Sequence, residues 1–237
     1  REDEELTKRV EKILRDAERL VRKLHRENRE ILKTLKRLVE ELEKENRKVL
    51  KDAEDLVRKE RESKEKLLKL AEDLVKRNEE ALRELVRLAE ELVKRNVRVL
   101  EELLKLLTDL LRELKDALRR AGRRREDLDR RIDEARKRIR RELEELRKRH
   151  EELLRELKKR VKELADEHRE LLDRLRKRDE DARELLKELK RIVKKSLDEL
   201  RKLLKKLEDI VRESNERLKE VLKKITDLIR KVLEDIR

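Results

Sequence analysis

Ala71-Glu-Asp-Leu-Val-Lys-Arg-Asn78 returns eighteen positions later as Ala89-Glu-Glu-Leu-Val-Lys-Arg-Asn96. Eighteen residues make five turns of an ideal helix at about 3.6 residues per turn. An apolar stripe repeating at that interval keeps its angle around the axis, whereas a strict heptad forces a left-handed supercoil. The repeat therefore predicts long, nearly straight helices. The first quarter keeps the same step. Leu6, Val10, Ile13, Ala17, Leu20, Leu24, Asn28, Leu32, Leu35, Val39, Leu42 and Asn46 follow one another by threes and fours, the spacing of a single buried helical face.

The repeat carries polar residues where that face calls for apolar ones. Four pairs stand eighteen positions apart, one in each quarter: Asn28/Asn46, Asn78/Asn96, His150/His168 and Ser196/Ser214. Their numbers are arranged about three pivots. Residues 28 and 96 total 124, as do 46 and 78; 96 and 150 total 246, as do 78 and 168; 150 and 214 total 364, as do 168 and 196. Constant totals mark antiparallel neighbours folded about positions 62, 123 and 182. They predict two buried polar layers, Asn28, Asn96, His150 and Ser214 in one and Asn46, Asn78, His168 and Ser196 in the other. The two are expected about 27 Å apart at ~1.5 Å per residue.

The apolar rhythm lapses between Val57 and Leu67, between Ala121 and Leu128, and between Leu175 and Ala182. Each lapse lies at or near a pivot. Around Gly122 and from Arg176 the charges switch from basic to acidic, which suits the end of one helix dipole and the start of the next. Gly122 suits a C-cap, Asp181 with Glu184 suits a capping box, and Ser63 suits an N-cap. The expected fold is all-α: an up-down-up-down four-helix bundle with helices near 2–60, 64–120, 125–177 and 181–236, forming a single domain over 1–237.

Composition narrows the function classes. Of 237 residues, 58% are charged and 35% hydrophobic, with one Gly and no Phe, Trp, Tyr, Met, Cys or Pro. Helical apolar spacing throughout separates this profile from disorder. Absence of cysteine excludes disulfides and thiolate chemistry. No apolar run approaches the ~18 residues of a membrane span. The net charge of +14 comes from 76 basic and 62 acidic side chains. They are interleaved at three- and four-residue offsets, which is the pattern of solvated helix faces.

The eighteen-residue polar pairs, the repeated Leu-Val-Lys-Arg-Asn at 74–78 and 92–96, and the Lys/Arg/Glu surface together resemble parametrically designed, de novo idealised antiparallel four-helix bundles. The resemblance covers the whole chain. It implies a hyperstable engineered scaffold without biological function, soluble, and cytoplasmic if made in bacteria. It departs from that pattern in lacking Gly at two of its three junctions.

Each polar layer is expected to satisfy itself as a hydrogen-bond network, since Asn, Ser and neutral His all donate and accept. The benefit would be register, because a slip by one core layer sets these groups against Leu and Val. Other chemistry finds little support. A metal site in a bundle needs several converging His or carboxylates, and each layer holds one His. Three residues before His150 and His168 stand Arg147 and Ala165, not Glu. Ser214 beside His150 lacks a carboxylate to orient the ring. No enzyme, cofactor or metal is expected. Arg residues over 119–125 are the best anion site in the sequence, with Glu2, Asp3, Glu4 and Glu5 placed to neutralise them. His25 and Asn215 are expected at the core boundary, Thr108 and Thr226 at its edge, and Thr34 on the surface. The chain is read as a monomer with no partner, no membrane and no specific nucleic acid. The alternatives are a homodimer formed by exchanging helical hairpins, and a nonspecific basic binder of nucleic acid or anionic surfaces.

Overall fold

The computed structural model describes residues 2–59, 63–122, 125–177 and 181–236. They form four helices: α1 (Glu2–Lys59), α2 (Ser63–Arg120), α3 (Glu126–Lys177) and α4 (Ala182–Ile236). Leu, Glu, Lys and Arg dominate the interiors, all strong helix formers, and no Pro interrupts them. Apart from the last turn of α4, which holds no basic residue, the ends follow electrostatics. Arg58 and Lys59 close α1, Arg119 and Arg120 close α2, and Arg174, Arg176 and Lys177 close α3. Glu126, Asp127 and Asp129 open α3, and Glu184 lies in the first turn of α4. Each charge opposes the partial charge of its helix end.

α2 ends at the one glycine. Ala121 N donates to Ala117 O at 3.0 Å and Gly122 N to Arg119 O at 3.2 Å. Gly122 itself has φ of 68°, the left-handed region that other residues enter at a cost. α4 opens on Asp181, whose carbonyl accepts from Glu184 N at 3.1 Å and Leu185 N at 3.2 Å. The Ser63 side chain lies outside the described residues.

The chain is an all-α four-helix bundle, and it divides into two compact units. Each unit takes a segment from every helix. Unit 1 comprises Arg1–Arg29, Leu92–Glu152 and Asp209–Arg237; unit 2 comprises Glu30–Glu91 and Leu153–Glu208.

Unit 1 is packed around Val10, Ala17, Leu110, Leu111, Leu114, Ile132 and Val232, all fully buried. Lys115 pairs with Asp133 at 2.7 Å and Arg147 with Glu101 at 3.5 Å, joining α2 to α3, and both number pairs total 248. Arg149 with Glu213 and Arg217 with Glu145 join α3 to α4, and both total 362. Arg95 reaches Glu27 across α1 and α2 at 3.5 Å.

Unit 2 is packed around Leu35, Leu67, Leu74, Leu157 and Leu171. Lys158–Glu90 at 2.5 Å, Arg169–Glu79 at 3.1 Å and Arg176–Glu72 at 3.0 Å join α2 to α3 with the same total of 248. Lys206–Glu156 at 2.8 Å and Lys195–Glu167 at 3.2 Å join α3 to α4, totalling 362. Lys36–Glu208 at 3.1 Å, Arg201–Glu43 and Lys190–Glu54 join α4 to α1, each totalling 244.

Constant totals at each interface mean antiparallel neighbours held in one register. These surface pairs contribute about 0–1 kcal/mol each, so they mark the register more than they stabilise it. Each fully buried Leu contributes more, about 1.5–3 kcal/mol. In α1 the buried stripe from Asn28 to Asn46 runs through Ile31, with Leu32 only half-buried.

Candidate functional site

All eight polar residues of the repeat are buried, none more than 3% exposed. Asn28, Asn96, His150 and Ser214 belong to unit 1; Asn46, Asn78, His168 and Ser196 belong to unit 2. A buried polar group without a partner costs about 1–3 kcal/mol, so the bonds of each set decide what it does.

The asparagines pair reciprocally across α1 and α2. In unit 1, Asn28 Nδ2 donates to Asn96 Oδ1 at 3.0 Å and Asn96 Nδ2 donates to Asn28 Oδ1 at 2.8 Å. In unit 2 the Asn46 and Asn78 amides exchange bonds of 3.1 and 2.9 Å. The α2 member uses its second N–H on its own backbone: Asn96 donates to Leu92 O at 2.6 Å and Asn78 to Leu74 O at 2.7 Å.

The histidines turn the same way. His150 Nδ1 donates to Leu146 O at 2.7 Å, and His168 Nδ1 donates to Leu164 O at 2.5 Å. A carbonyl accepts only, so Nδ1 carries the proton in each ring and Nε2 of the neutral ring is an acceptor. In unit 2, Ser196 Oγ donates to His168 Nε2 at 3.3 Å. In unit 1, His150 Nε2 and Ser214 Oγ have no hydrogen-bond partner among the described residues.

The bonding therefore differs from the four-member networks expected of the sequence. Among the described residues no hydrogen bond joins an asparagine pair to its histidine and serine. The reason is local. Each asparagine oxygen is engaged by the facing amide, and the spare donors of Asn78, Asn96, His150 and His168 return to the carbonyl four residues earlier. A donor within reach of its own helix backbone satisfies that carbonyl without ordering a second side chain.

Chemically, neither set contains a carboxylate or a Lys or Arg side chain. Burial pushes the His150 pKa below the ordinary imidazole value, against the opposing bond to the Leu146 carbonyl. Among the described residues no carboxylate bonds to either ring, so neither serine has the oriented base of a hydrolytic triad there. Among the described residues no group of three His, Asp or Glu side chains is placed to hold a metal ion. No helix is long and apolar enough to cross a membrane.

The remaining candidates divide. His25 is half-buried with Nδ1 unpartnered; burial lowers its pKa, helped by Arg29 and Lys219. Thr226 Oγ1 donates to Leu222 O at 2.7 Å, and exposed Thr34 donates to Glu30 O at 3.0 Å. Asn215 and Thr108 are half-buried. Of the arginines over 119–125, Arg123 and Arg124 lie outside the described residues, and Arg125 pairs with Asp235 of α4 at 3.0 Å, not with the α1 carboxylates expected there. A cationic groove that no motif marks lies on α3, lined by Arg136, Lys137, Arg140, Arg141 and Lys148. Its signal was present: residues 130–149 hold ten basic and five acidic side chains.

No protein-family model matches the chain, and no curated protein matches it. Among solved structures the chain is similar to a computationally designed three-helix bundle, with 19% identity over 98% of this chain and 95% of that one, at a TM-score of 0.25. At that score the two backbones do not superpose as a common fold.

Proposed function

We propose that this chain is an engineered structural scaffold, a hyperstable de novo bundle acting as a single domain over 1–237, with no catalytic, cofactor or signalling role. In this reading the polar residues exist to select helix register. The observation that carries it is the reciprocal Asn28–Asn96 and Asn46–Asn78 bonding. A neutral amide pair sealed among leucines does no acid–base or electrophilic chemistry. Set one position out of register, each amide would face Leu or Val and lose about 1–3 kcal/mol. The known use of such groups in helical assemblies is choice of partner and register. The eighteen-residue repeat adds that the helices run nearly straight.

Circular dichroism with guanidinium titration and light scattering tests the proposal. Near-complete helicity, a midpoint above about 5 M guanidinium, and a mass of 29.2 kDa are the expected results. Low helicity or a transition in mild denaturant defeats the scaffold reading. A mass twice that of the chain replaces the monomer with hairpin exchange, because the same number totals hold between two chains.

A further inference from the structure

Unit 1 carries a groove of about 630 Å³ along α3, beside Thr108 of α2. Its walls are charged. Arg136, Lys137, Arg140, Arg141 and Lys148 line it, against three carboxylates. Two of those three are engaged by cations outside the groove. Lys115 holds Asp133 at 2.7 Å and keeps its pKa below the ordinary carboxylate value. Arg217 and Arg149 hold Glu145 at 3.6 and 4.0 Å. Lys137, Arg140, Arg141 and Lys148 are exposed and form no ion pair among the described residues. The groove thus gathers four exposed, unpaired cations within thirteen residues of one helix.

The chemistry of an occupant follows. Thr108 is the one uncharged lining residue, and no large hydrophobic side chain is exposed among the described residues. Nothing there receives an acyl chain, and a membrane surface needs apolar insertion for firm attachment. The chain has no aromatic residue, so unpaired bases find nothing to stack on. What remains is a polyanion with its charges on the outside of a rod. From Arg136 to Lys148 the helix rises about 18 Å at ~1.5 Å per residue. One strand of a duplex presents a phosphate per ~3.4 Å of axis, so about five phosphates span that stretch. Guanidinium groups suit phosphate by their planar, forked donors.

We propose that the α3 face from Arg136 to Lys148 is a docking surface for the phosphate backbone of duplex DNA, read without base contacts. This goes beyond the scaffold reading and stands independently of it.

The test is fluorescence anisotropy of a short labelled duplex against the full chain between about 50 and 200 mM salt. Binding is expected to fall with a log–log slope of about −4 to −5, and to be indifferent to sequence. The variant Lys137→Gln/Arg140→Gln/Arg141→Gln should lower the steepness by about 3. A control on α1, Arg15→Gln/Arg26→Gln/Arg37→Gln, removes the same net charge from exposed positions and should keep the parent slope. Circular dichroism checks both for parent helicity; if the triple variant lost it, Arg141→Gln/Lys148→Gln takes its place with a change of about 2. No binding by the parent at the lowest salt overturns the proposal. So does equal loss in the α3 and α1 variants, which would assign the effect to net charge. Tighter, α3-dependent binding to phosphatidylserine vesicles than to the duplex would overturn the choice of partner.

Discussion

Ser196 donates to His168 in unit 2, whereas Ser214 and His150, the same residue types eighteen positions away in the opposite sense along α4 and α3, leave both atoms unpartnered in unit 1. The asparagine pairs show no such difference: both exchange two bonds of 2.8–3.1 Å. The contrast separates a robust device from a fragile one. Two amides facing each other each offer a donor and an acceptor, so one geometry serves both. A serine has a single short arm. Its histidine is oriented by the carbonyl four residues back, not by the serine, so the hydroxyl must meet a ring already placed.

The largest effect should come from breaking an asparagine pair on one side. Asn96→Leu leaves the Asn28 amide buried and unpaired, and should cost about 2–3 kcal/mol in guanidinium unfolding. Asn28→Leu/Asn96→Leu should return to within about 1 kcal/mol of the parent, because apolar replacement of both partners is nearly neutral. Asn78→Leu and Asn46→Leu/Asn78→Leu should repeat both results in unit 2. A difference between the units here would break the claim that the asparagines are equivalent.

Acid should act next. His150 is favoured neutral in the folded chain, since burial lowers its pKa. Below the unfolded value near ~6.5 the unfolded chain binds the additional proton, so stability falls as pH drops from there toward the folded pKa. The slope is at most about 1.4 kcal/mol per pH unit for one histidine. Unfolding of His150→Leu, followed from pH 7 downward, should lose that share of the slope and retain the part due to His25, whose pKa is lowered too.

The serines sharpen the contrast directly. Ser196→Ala removes the one bond to His168 Nε2 and should cost about 1–2 kcal/mol. Ser214→Ala removes an unpartnered hydroxyl and should be neutral or stabilising by denaturant unfolding. Equal losses would show that the two serines do the same thing. A small effect belongs to the junction of unit 1. A Cβ at Gly122 meets nothing within 4 Å, so Gly122→Ala should cost only the left-handed backbone, about 1 kcal/mol, read in the same unfolding experiment.

Much of the fold was legible because one face repeats every eighteen residues and its polar members are numbered symmetrically about the turns. That arithmetic places Asn96 against Asn28 and Ser196 against His168 before any coordinate is known. It does not resolve neighbours on a face, which is why Leu32 stood where Ile31 is buried. Nor does it reveal hydrogen-bond partition. Asn, His and Ser in one layer are compatible with many networks. The choice made here depends on carbonyls of Leu74, Leu92, Leu146 and Leu164, which every sequence supplies and no motif marks. The α3 groove escaped notice for another reason. The densest run of arginine lies over 119–125, while an excess matters only where the facing carboxylates are already taken, as Asp133 and Glu145 are.

The asparagines bond as closed pairs, apart from the histidine and serine of the same unit. A double-mutant cycle by guanidinium unfolding tests this most directly, comparing Asn28→Leu with Asn96→Leu, and Asn96→Leu with Ser214→Ala. Coupling above about 1.5 kcal/mol within the asparagine pair and below about 0.5 kcal/mol between Asn96 and Ser214 is the expected result. Comparable coupling in both cycles would contradict it, and would mean that the four side chains of unit 1 act as one network.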